Sequence, residues 1–446
     1  MPTRLVALAA SAAVVASLAA CTEPATTENL EMLRARNAEW LGEPGWAQHH
    51  FERALAAEPA ALDALLGAGR SALEGPEAGL SRAVARLESV LDRSTGARAD
   101  DGSNEMAGEA RRLLAEAHLR LGDTDRALAA LGSLSAPEAE VLRARALLDD
   151  DPRRGLGAIE RALESGPPMP QWSELAARLA LRAEEPAAAV RHARTALALD
   201  PLRPGASFVL SRALRSVGDP EAERAAIERT ERLWVLADAT SAPAGDRAVE
   251  ALKALEALAA ADVAVAAAPS VVALRVRLLL RGGMLEAARR ELSTTRGSEL
   301  PSETLAFLAQ TAREVGAHGF ARQLLARALV VAPEDARLLA RAALLAHDAG
   351  DLDEAAAMAD RALAAQPQSA AARHASGLVA LSRGENARAA ADLARAVELA
   401  PWVATHRATL VRVLWANGDR QAALESLEDA PRPHPLLQTV RRELDA

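Results

Sequence analysis

Small apolar residues recur along this chain at a fixed spacing, and that spacing predicts its elements. From residue 287 onward, alanines return every 34 residues in two series: Ala287, Ala321, Ala355, Ala389 and Ala423, then Ala328, Ala362, Ala396 and Ala430. Within one unit the two alanines lie seven residues apart, which is two turns on one face of a helix. An internal period of this length indicates stacked copies of one supersecondary unit.

Helix-breaking residues follow the same period. They are Gly282, Gly316, Gly350, Gly384 and Gly418, with Pro333, Pro367 and Pro401. Around Gly350 the pattern predicts one helix from Asp335 to Ala349 and a second from Leu352 to Ala365. The glycine is expected to end the first helix in the left-handed conformation, and Asp351 to cap the second. Pro367 then closes the unit, because proline does not continue a helix.

A 34-residue helix–turn–helix with small residues and a closing proline resembles the tetratricopeptide repeat. The same spacing extends upstream through Pro167 and Pro201, and Gly42 with Pro59 gives a further unit in register. The resemblance implies an all-α fold, an α-solenoid whose repeats wind into a right-handed superhelix. It also implies that the first helix of each unit lines a concave face that binds other proteins.

The repeats are expected to occupy most of the chain. Residues 30–235 form the N-terminal repeats, with a polar insertion at 93–108, and residues 247–431 form the C-terminal repeats. Between them, residues 236–246 (LADATSAPAGD) are the best candidate for a linker or a degenerate repeat. Residues 432–446 are expected to form an amphipathic helix that caps the last unit.

The N-terminal residues carry a separate signal. Arg4 is followed by an unbroken run of small apolar residues from Leu5 to Ala20, which is typical of a secretory signal peptide. The run ends before Cys21, which is the only cysteine, so no disulfide within the chain is possible. This junction resembles the bacterial lipoprotein cleavage box, where the chain is cut before the cysteine and lipid is attached to its sulfur. An ordinary cleavage site that happens to contain a cysteine is the alternative.

The lipoprotein resemblance implies a signal peptide at residues 1–20 and a lipidated cysteine with a polar tether at 21–29. Several acyl chains on Cys21 would hold the protein firmly at a membrane. Thr22 follows the cysteine, whereas an aspartate there commonly retains lipoproteins at the inner membrane of two-membrane bacteria. We therefore expect a cell-envelope protein on the periplasmic face of the outer membrane.

Composition and motifs restrict the chemistry. The 52 basic and 61 acidic residues give a net charge of −9, which does not suit a nucleic-acid binder. The nine histidines form no His-Glu-x-x-His motif, and the chain has no Gly-x-Ser-x-Gly motif and no phosphate-binding loop. The repeats also leave no room for a catalytic domain. We expect no enzyme activity, no metal and no cofactor.

The register of the resemblance implies which residues line the concave face. The candidate partner-binding residues are Arg178, Arg182, Phe208, Arg212, Arg215, Arg337, His347 and Trp415. The four arginines of neighbouring units suit a carboxylate or an acidic peptide, because guanidinium groups match carboxylates. The alternative is a solvated arginine face that pairs with Glu174 or Glu184. Trp415 either anchors a partner or packs against the C-terminal cap.

These patterns predict a non-catalytic, membrane-anchored scaffold of the bacterial envelope that binds a peptide or a partner's helix. The expected partners are other proteins, with membrane contact only through the lipid. Two other hypotheses stay open. One is an accessory subunit of an envelope enzyme or assembly machine, such as a cell-wall hydrolase or the machinery for pilus or outer-membrane barrel assembly. The other is a structural spacer that forms homo-oligomers.

Overall fold

All regular structure in the described residues is helical. The computed structural model describes residues 27–75, 79–94, 101–241, 246–261, 263–294 and 300–445. Its 25 helices are α1 (Thr27–Trp40), α2 (Pro44–Ala57), α3 (Leu62–Glu74), α4 (Leu80–Ser94), α5 (Asp101–Arg120), α6 (Thr124–Leu131), α7 (Pro137–Ala146), α8 (Pro152–Ser165), α9 (Pro170–Arg182), α10 (Pro186–Leu199), α11 (Pro204–Val217), α12 (Pro220–Ser241), α13 (Asp246–Ala261), α14 (Val263–Ala267), α15 (Pro269–Arg281), α16 (Leu285–Thr294), α17 (Ser302–Glu314), α18 (His318–Val331), α19 (Ala336–Asp348), α20 (Leu352–Ala365), α21 (Ala370–Ser382), α22 (Asn386–Leu399), α23 (Ala404–Ala416), α24 (Arg420–Glu428) and α25 (Pro435–Asp445).

Tight turns join the two helices of each repeat. The left-handed conformation, with φ between 76° and 86°, is found at Gly316, Gly350, Gly384 and Gly418. No atom lies within 4 Å of where a Cβ would stand on Gly350, so backbone conformation rather than space requires glycine there. The Asp351 carboxylate accepts a hydrogen bond from the Glu354 N–H at 3.3 Å and caps α20. Pro333, Pro367 and Pro401 lie in the turns that follow the second helices, as the period predicts.

The turn predicted at Gly282 lies one residue further on. Gly282 has a φ of −80°, and the left-handed residue is Gly283, with a φ of 74°. Either glycine adopts positive φ without steric cost, so the adjacent pair lets the turn form one residue later. The spacing alone did not distinguish them.

Two segments predicted to interrupt the repeats are largely helical. In the predicted insertion at 93–108, α5 begins at Asp101, and only residues 95–100 lie outside the described residues. In the predicted linker at 236–246, α12 continues to Ser241 and α13 begins at Asp246. The reason is that a polar composition does not end a helix when the residues are good helix formers such as Glu, Met and Ala. Leu236 is also only 3% exposed, so continuing α12 buries an apolar side chain.

The helices form two compact units, and the division does not fall at 236–246. Unit 1 contains residues 1–76 and 325–446, and unit 2 contains residues 77–324. The N-terminal helices α1 to α3 therefore belong with the C-terminal repeats rather than with the N-terminal ones. The last helix of unit 1, α25, packs its apolar residues Leu437 and Val440 against α23 and α24.

In unit 1 the N-terminal hairpin, α1 and α2, packs on two turns between C-terminal repeats. We call residues 366–370 and 398–403 the docking platform. The Asn37 side chain donates to the Gln368 carbonyl at 3.0 Å and accepts from the Ala370 N–H at 3.0 Å. Arg34 donates through Nε to the Glu398 carbonyl at 2.8 Å. Helix α1 therefore bridges both turns of the platform.

Apolar and aromatic contacts complete this docking. Leu33 and Leu41 pack on a cluster formed by Ala370, Leu399, Ala400, Trp402 and Val403. The Trp46 ring of α2 stacks on Trp402 with centroids 5.6 Å apart, and Arg432 covers the Trp46 ring at 4.6 Å. The contact combines burial with hydrogen bonds to the backbone of the turns.

Candidate functional site

Neighbouring first helices in unit 2 present basic and aromatic side chains on one surface. We call Arg178 and Arg182 of α9 with Phe208, Arg212 and Arg215 of α11 the arginine face. On α11 the exposed residues follow the spacing of one helix face, whereas the positions between them, such as Val209 and Ala213, are buried. Phe208 is 50% exposed, so its ring is available on this surface.

Residues close by in the sequence determine where α9 and α11 begin and where α11 ends. Pro170 and Pro204 begin α9 and α11 in their first turns, where a missing N–H costs no hydrogen bond. Gly218, with a φ of 82°, ends α11. A Cβ on Gly205 would stand 3.1 Å from the Arg178 Nη2, so the Arg178 guanidinium lies directly against the first turn of α11. The arginine face is therefore continuous between the two helices.

Most of these arginines already have carboxylate partners. Arg178 pairs with Glu174, and Arg182 pairs with Asp149. Arg215 pairs with Glu223 at 2.7 Å.

Arg212 forms no ion pair with any residue that the structure describes. The predicted arginine cluster is therefore present as a surface, and the alternative of pairing within the chain holds for its other three members.

Glu174, expected only as a partner of a solvated arginine face, is a buried carboxylate that also contacts Arg203. Its carboxylate is 9% exposed and contacts Arg178 and, at 2.7 Å, Arg203. One period earlier, Glu140 is 8% exposed and contacts Arg143 and, at 2.7 Å, Arg161. The signal was a glutamate repeated at the 34-residue spacing on a first helix. A carboxylate held between two guanidinium groups keeps both arginines in fixed positions.

The other predicted site residues lie in unit 1 and contact the rest of unit 1. Arg337 covers the Trp40 ring of α1 at 5.6 Å. The His347 Nε2 lies 2.8 Å from the Ser382 hydroxyl. Trp415 is half-buried and packs with the cluster that includes Leu437 and Val440 of α25, which favours the packing alternative for this residue.

Unit 1 also contains a half-buried and a buried histidine, His374 and His406, on neighbouring first helices. The rings of His374 on α21 and His406 on α23 are 4.6 Å apart. Burial, with a smaller contribution from His347, lowers the pKa of His374 to about 4. Burial and the nearby His374 lower the pKa of His406 to about 3. Both imidazoles are therefore neutral at neutral pH.

Two searches of the described residues were negative. Among residues 27–75, 79–94, 101–241, 246–261, 263–294 and 300–445, no three His, Cys, Asp or Glu side chains are grouped to hold a metal ion. Within the same ranges, every helix is too short or too polar to cross a bilayer. The predicted signal peptide, lipidation residue Cys21 and most of the tether lie outside the described residues.

Comparison with known proteins supports the repeat assignment. Residues 174–234, 308–370 and 341–404 match the Tetratricopeptide repeat family, and the first segment contains the whole arginine face. The chain therefore contains tetratricopeptide repeats, and the predicted all-α solenoid is confirmed. No curated protein matches the chain.

Two solved structures of similar chains are the APC/C hetero-tetramer Cut9–Hcn1 and the MamA protein. The first is 12% identical, with 94% of this chain and 97% of that chain covered and a TM-score of 0.34. The second is 13% identical, with 46% of this chain and 91% of that chain covered and a TM-score of 0.27. The repeat assignment rests on the family match and on the internal spacing rather than on these two similarities.

Proposed function

We propose that this chain is a non-catalytic scaffold that binds an acidic peptide or partner helix on the arginine face. Tetratricopeptide repeats generally serve as surfaces for protein binding, and their stacked first helices form extended concave faces. The observation that carries the proposal is the exposed pair Phe208 and Arg212, one turn apart on α11. An apolar anchor beside an unpaired guanidinium offers both burial and a charge-assisted hydrogen bond to a ligand.

The ionic arrangement around the pair supports an acidic ligand. Arg178, next to Arg212 on the face, is held in position by the buried Glu174, so little side-chain freedom is lost when a ligand binds. The Arg212 guanidinium forms no ion pair with a described residue, so a ligand carboxylate would not have to displace an internal one. The chain as a whole carries a net charge of −9, which makes this basic surface a local exception.

Reversing the charge of Arg212 should weaken the binding of acidic peptides. The measurement is fluorescence anisotropy with a peptide library graded in net charge. We expect acidic members to bind and the Arg212→Glu variant to raise their Kd about tenfold, which corresponds to about 1.4 kcal/mol. The matched control is Arg224→Glu, an exposed arginine on the second helix of the same repeat, which makes the same change in net charge. Equal effects of the two substitutions, or binding that ignores peptide charge, would exclude the arginine face as the site.

We propose further that lipid on Cys21 holds this scaffold at the bacterial envelope, on the periplasmic face of the outer membrane. The support is the apolar run up to Ala20, the cysteine that follows it and Thr22 in place of an aspartate. Helix α1 begins at Thr27, so at most about 20 Å of extended chain separates the cysteine from unit 1. Anchoring would keep the scaffold and its partner close to the bilayer.

Substitution of the cysteine should release the protein from membranes. In cell fractionation, the Cys21→Ser variant is expected in the soluble fraction, because the acyl chains are lost with the sulfur. Thr22→Ala, which keeps the cysteine, should stay with the membranes. Membrane retention of Cys21→Ser would contradict the anchor.

A further inference from the structure

The half-buried His374 and the buried His406 lie directly behind the docking platform of unit 1. His374 is one turn along α21 from Ala370, whose N–H donates a hydrogen bond to the Asn37 side chain. His406 is in the first turn of α23, immediately after the platform residues Trp402 and Val403. The histidines therefore stand at the N-terminal ends of the two helices that the platform turns lead into.

Helix α1 connects those two ends. Asn37 binds the turn before α21, and Arg34 binds the turn before α23. Both contacts require the turns to keep a fixed separation, because hydrogen bonds weaken steeply with distance and angle. Any force that separates the ends of α21 and α23 would act on both contacts together.

No carboxylate in the described residues pairs with either imidazole. His374 contacts the Thr409 hydroxyl at 3.3 Å, and His347 of α19 is the titratable group on its other side. On the neighbouring helix α22, the Asp392 carboxylate is held by Arg373 at 2.8 Å and by the Ser376 hydroxyl at 2.7 Å.

His406 likewise forms no ion pair with a carboxylate among the described residues. Its neighbour in sequence, Arg407, is 4% exposed and donates to the Ser426 carbonyl of α24 at 2.5 Å. Asp429, beyond the end of α24, faces Arg407 rather than the imidazole. Protonation of the histidine pair would therefore add positive charge that no carboxylate compensates, and the acceptors present, the Thr409 hydroxyl and the Ala396 carbonyl, are neutral.

We propose that the His374–His406 pair is an acid-sensitive switch that releases the N-terminal hairpin from the docking platform. Protonation places two positive charges 4.6 Å apart between α21 and α23. Their repulsion and their need for water separate the N-terminal ends of these helices. The platform turns then move apart, and Asn37 and Arg34 no longer reach both of them.

The sign of the effect follows from linkage. The docked state keeps both histidines neutral, whereas in the released state each protonates near its ordinary value of 6.5. Above pH 6.5 the histidines are neutral in both states, so they do not shift the equilibrium toward release. Below it, each histidine favours release by about tenfold for every pH unit, and the pair by about a hundredfold, until the docked-state values are reached.

The test is hydrogen exchange at the Ala370 amide, which bonds to the Asn37 side chain and so reports docking directly. Exchange is followed on the intact chain from pH 7 to pH 5 and corrected for its intrinsic pH dependence. The Asn37→Ala variant at pH 7 gives the signal of the released hairpin. We expect Ala370 protection to fall by about a hundredfold per pH unit below pH 6.5, while buried amides inside α21 and α22 stay protected.

Variants of the histidines separate the switch from general acid unfolding. His374→Gln should reduce the slope to about tenfold per pH unit, and the double variant with His406→Gln should remove it. Three outcomes contradict the switch: unchanged Ala370 protection at pH 5 in the unsubstituted chain, equal slopes in the unsubstituted chain and His374→Gln, or loss of Ala370 and helix-interior protection together. The first and third are read without any variant, so a poorly folded variant does not prevent the test.

Discussion

Replacing Asn37 with alanine is expected to detach the N-terminal hairpin from the C-terminal repeats and to lower the free energy of unfolding of unit 1 by about 3 kcal/mol. The side chain is 5% exposed and bonds to Gln368 and Ala370 of the platform. After the substitution the Ala370 N–H, on a fully buried residue, has no acceptor, and each such unsatisfied group costs roughly 1–3 kcal/mol. Packing of Leu33 and Leu41 on the platform weakens as well.

Denaturant titration followed by tryptophan fluorescence measures this loss, because Trp46 and Trp402 stack across the contact. Arg36→Ala is the matched control on the same helix. The Arg36 side chain is 59% exposed, and its one ion pair, with Asp63, is long at 3.5 Å. We expect a change below about 0.5 kcal/mol for the control. Similar losses for the two variants would mean that Asn37 does not hold the hairpin.

The second large effect is expected at the buried glutamate beneath the arginine face. Glu174→Ala should lower the free energy of unfolding of unit 2 by about 3 kcal/mol, because it leaves the half-buried Arg203 with only the 4.0 Å contact to Asp200. Breaking a buried pair from one side costs about 3–5 kcal/mol, and the lower end applies here because Arg178 is 49% exposed and can turn to water. Since Arg178 then loses its position, binding of acidic peptides should weaken too.

The control for this substitution is Glu164→Ala, an exposed glutamate on α8 that makes the same change in charge. Thermal or denaturant unfolding of both variants gives the comparison. Glu140→Ala, one period earlier, should behave like Glu174→Ala. If all three variants unfold alike, the buried carboxylates are not what holds these repeats together.

The local structure of the repeats could be predicted because glycine, proline and small residues act over short distances. Gly350 and Asp351 fix a turn and a cap through their own backbone and side chain, so α19 and α20 lie within one residue of their predicted bounds. The complete burial of Ala355 and Ala362 likewise follows from two helices approaching closely on one face. Prediction failed by one residue at Gly282, where a second glycine could serve the same purpose.

The grouping of helices into units could not be predicted, because it depends on contacts between residues far apart in the sequence. Asn37 and Ala370 are separated by 333 residues. They do not occupy equivalent positions of the 34-residue repeat, so the spacing does not relate them. A pattern based on spacing treats α1 as one more first helix and does not show that it packs on the C-terminal turns. In the predicted linker or degenerate repeat at 236–246, burial of Leu236 favours the continuation of α12 to Ser241, and residues 242–245 lie outside the described residues.

The candidate site was predicted in part. Register placed the arginine face on α9 and α11, and the structure makes it one continuous surface. For Trp415 the register allows either an anchor for a partner or packing against the C-terminal cap, and the side chain packs toward α25. Position in a repeat indicates which face a residue occupies, but the partners of a long side chain depend on what the neighbouring repeats supply.

The central claim is that partners bind the arginine face of unit 2, and site-specific photo-crosslinking in the native cell tests it most directly. A photoreactive phenylalanine analogue replaces Phe208 on α11 or, for comparison, Trp234 on the second helix α12, which is exposed to a similar extent at 59%. We expect a crosslinked partner protein from position 208 and none from position 234. The crosslink from position 208 should be lost when Arg212→Glu is added. Crosslinks from position 234 with none from position 208 would contradict it.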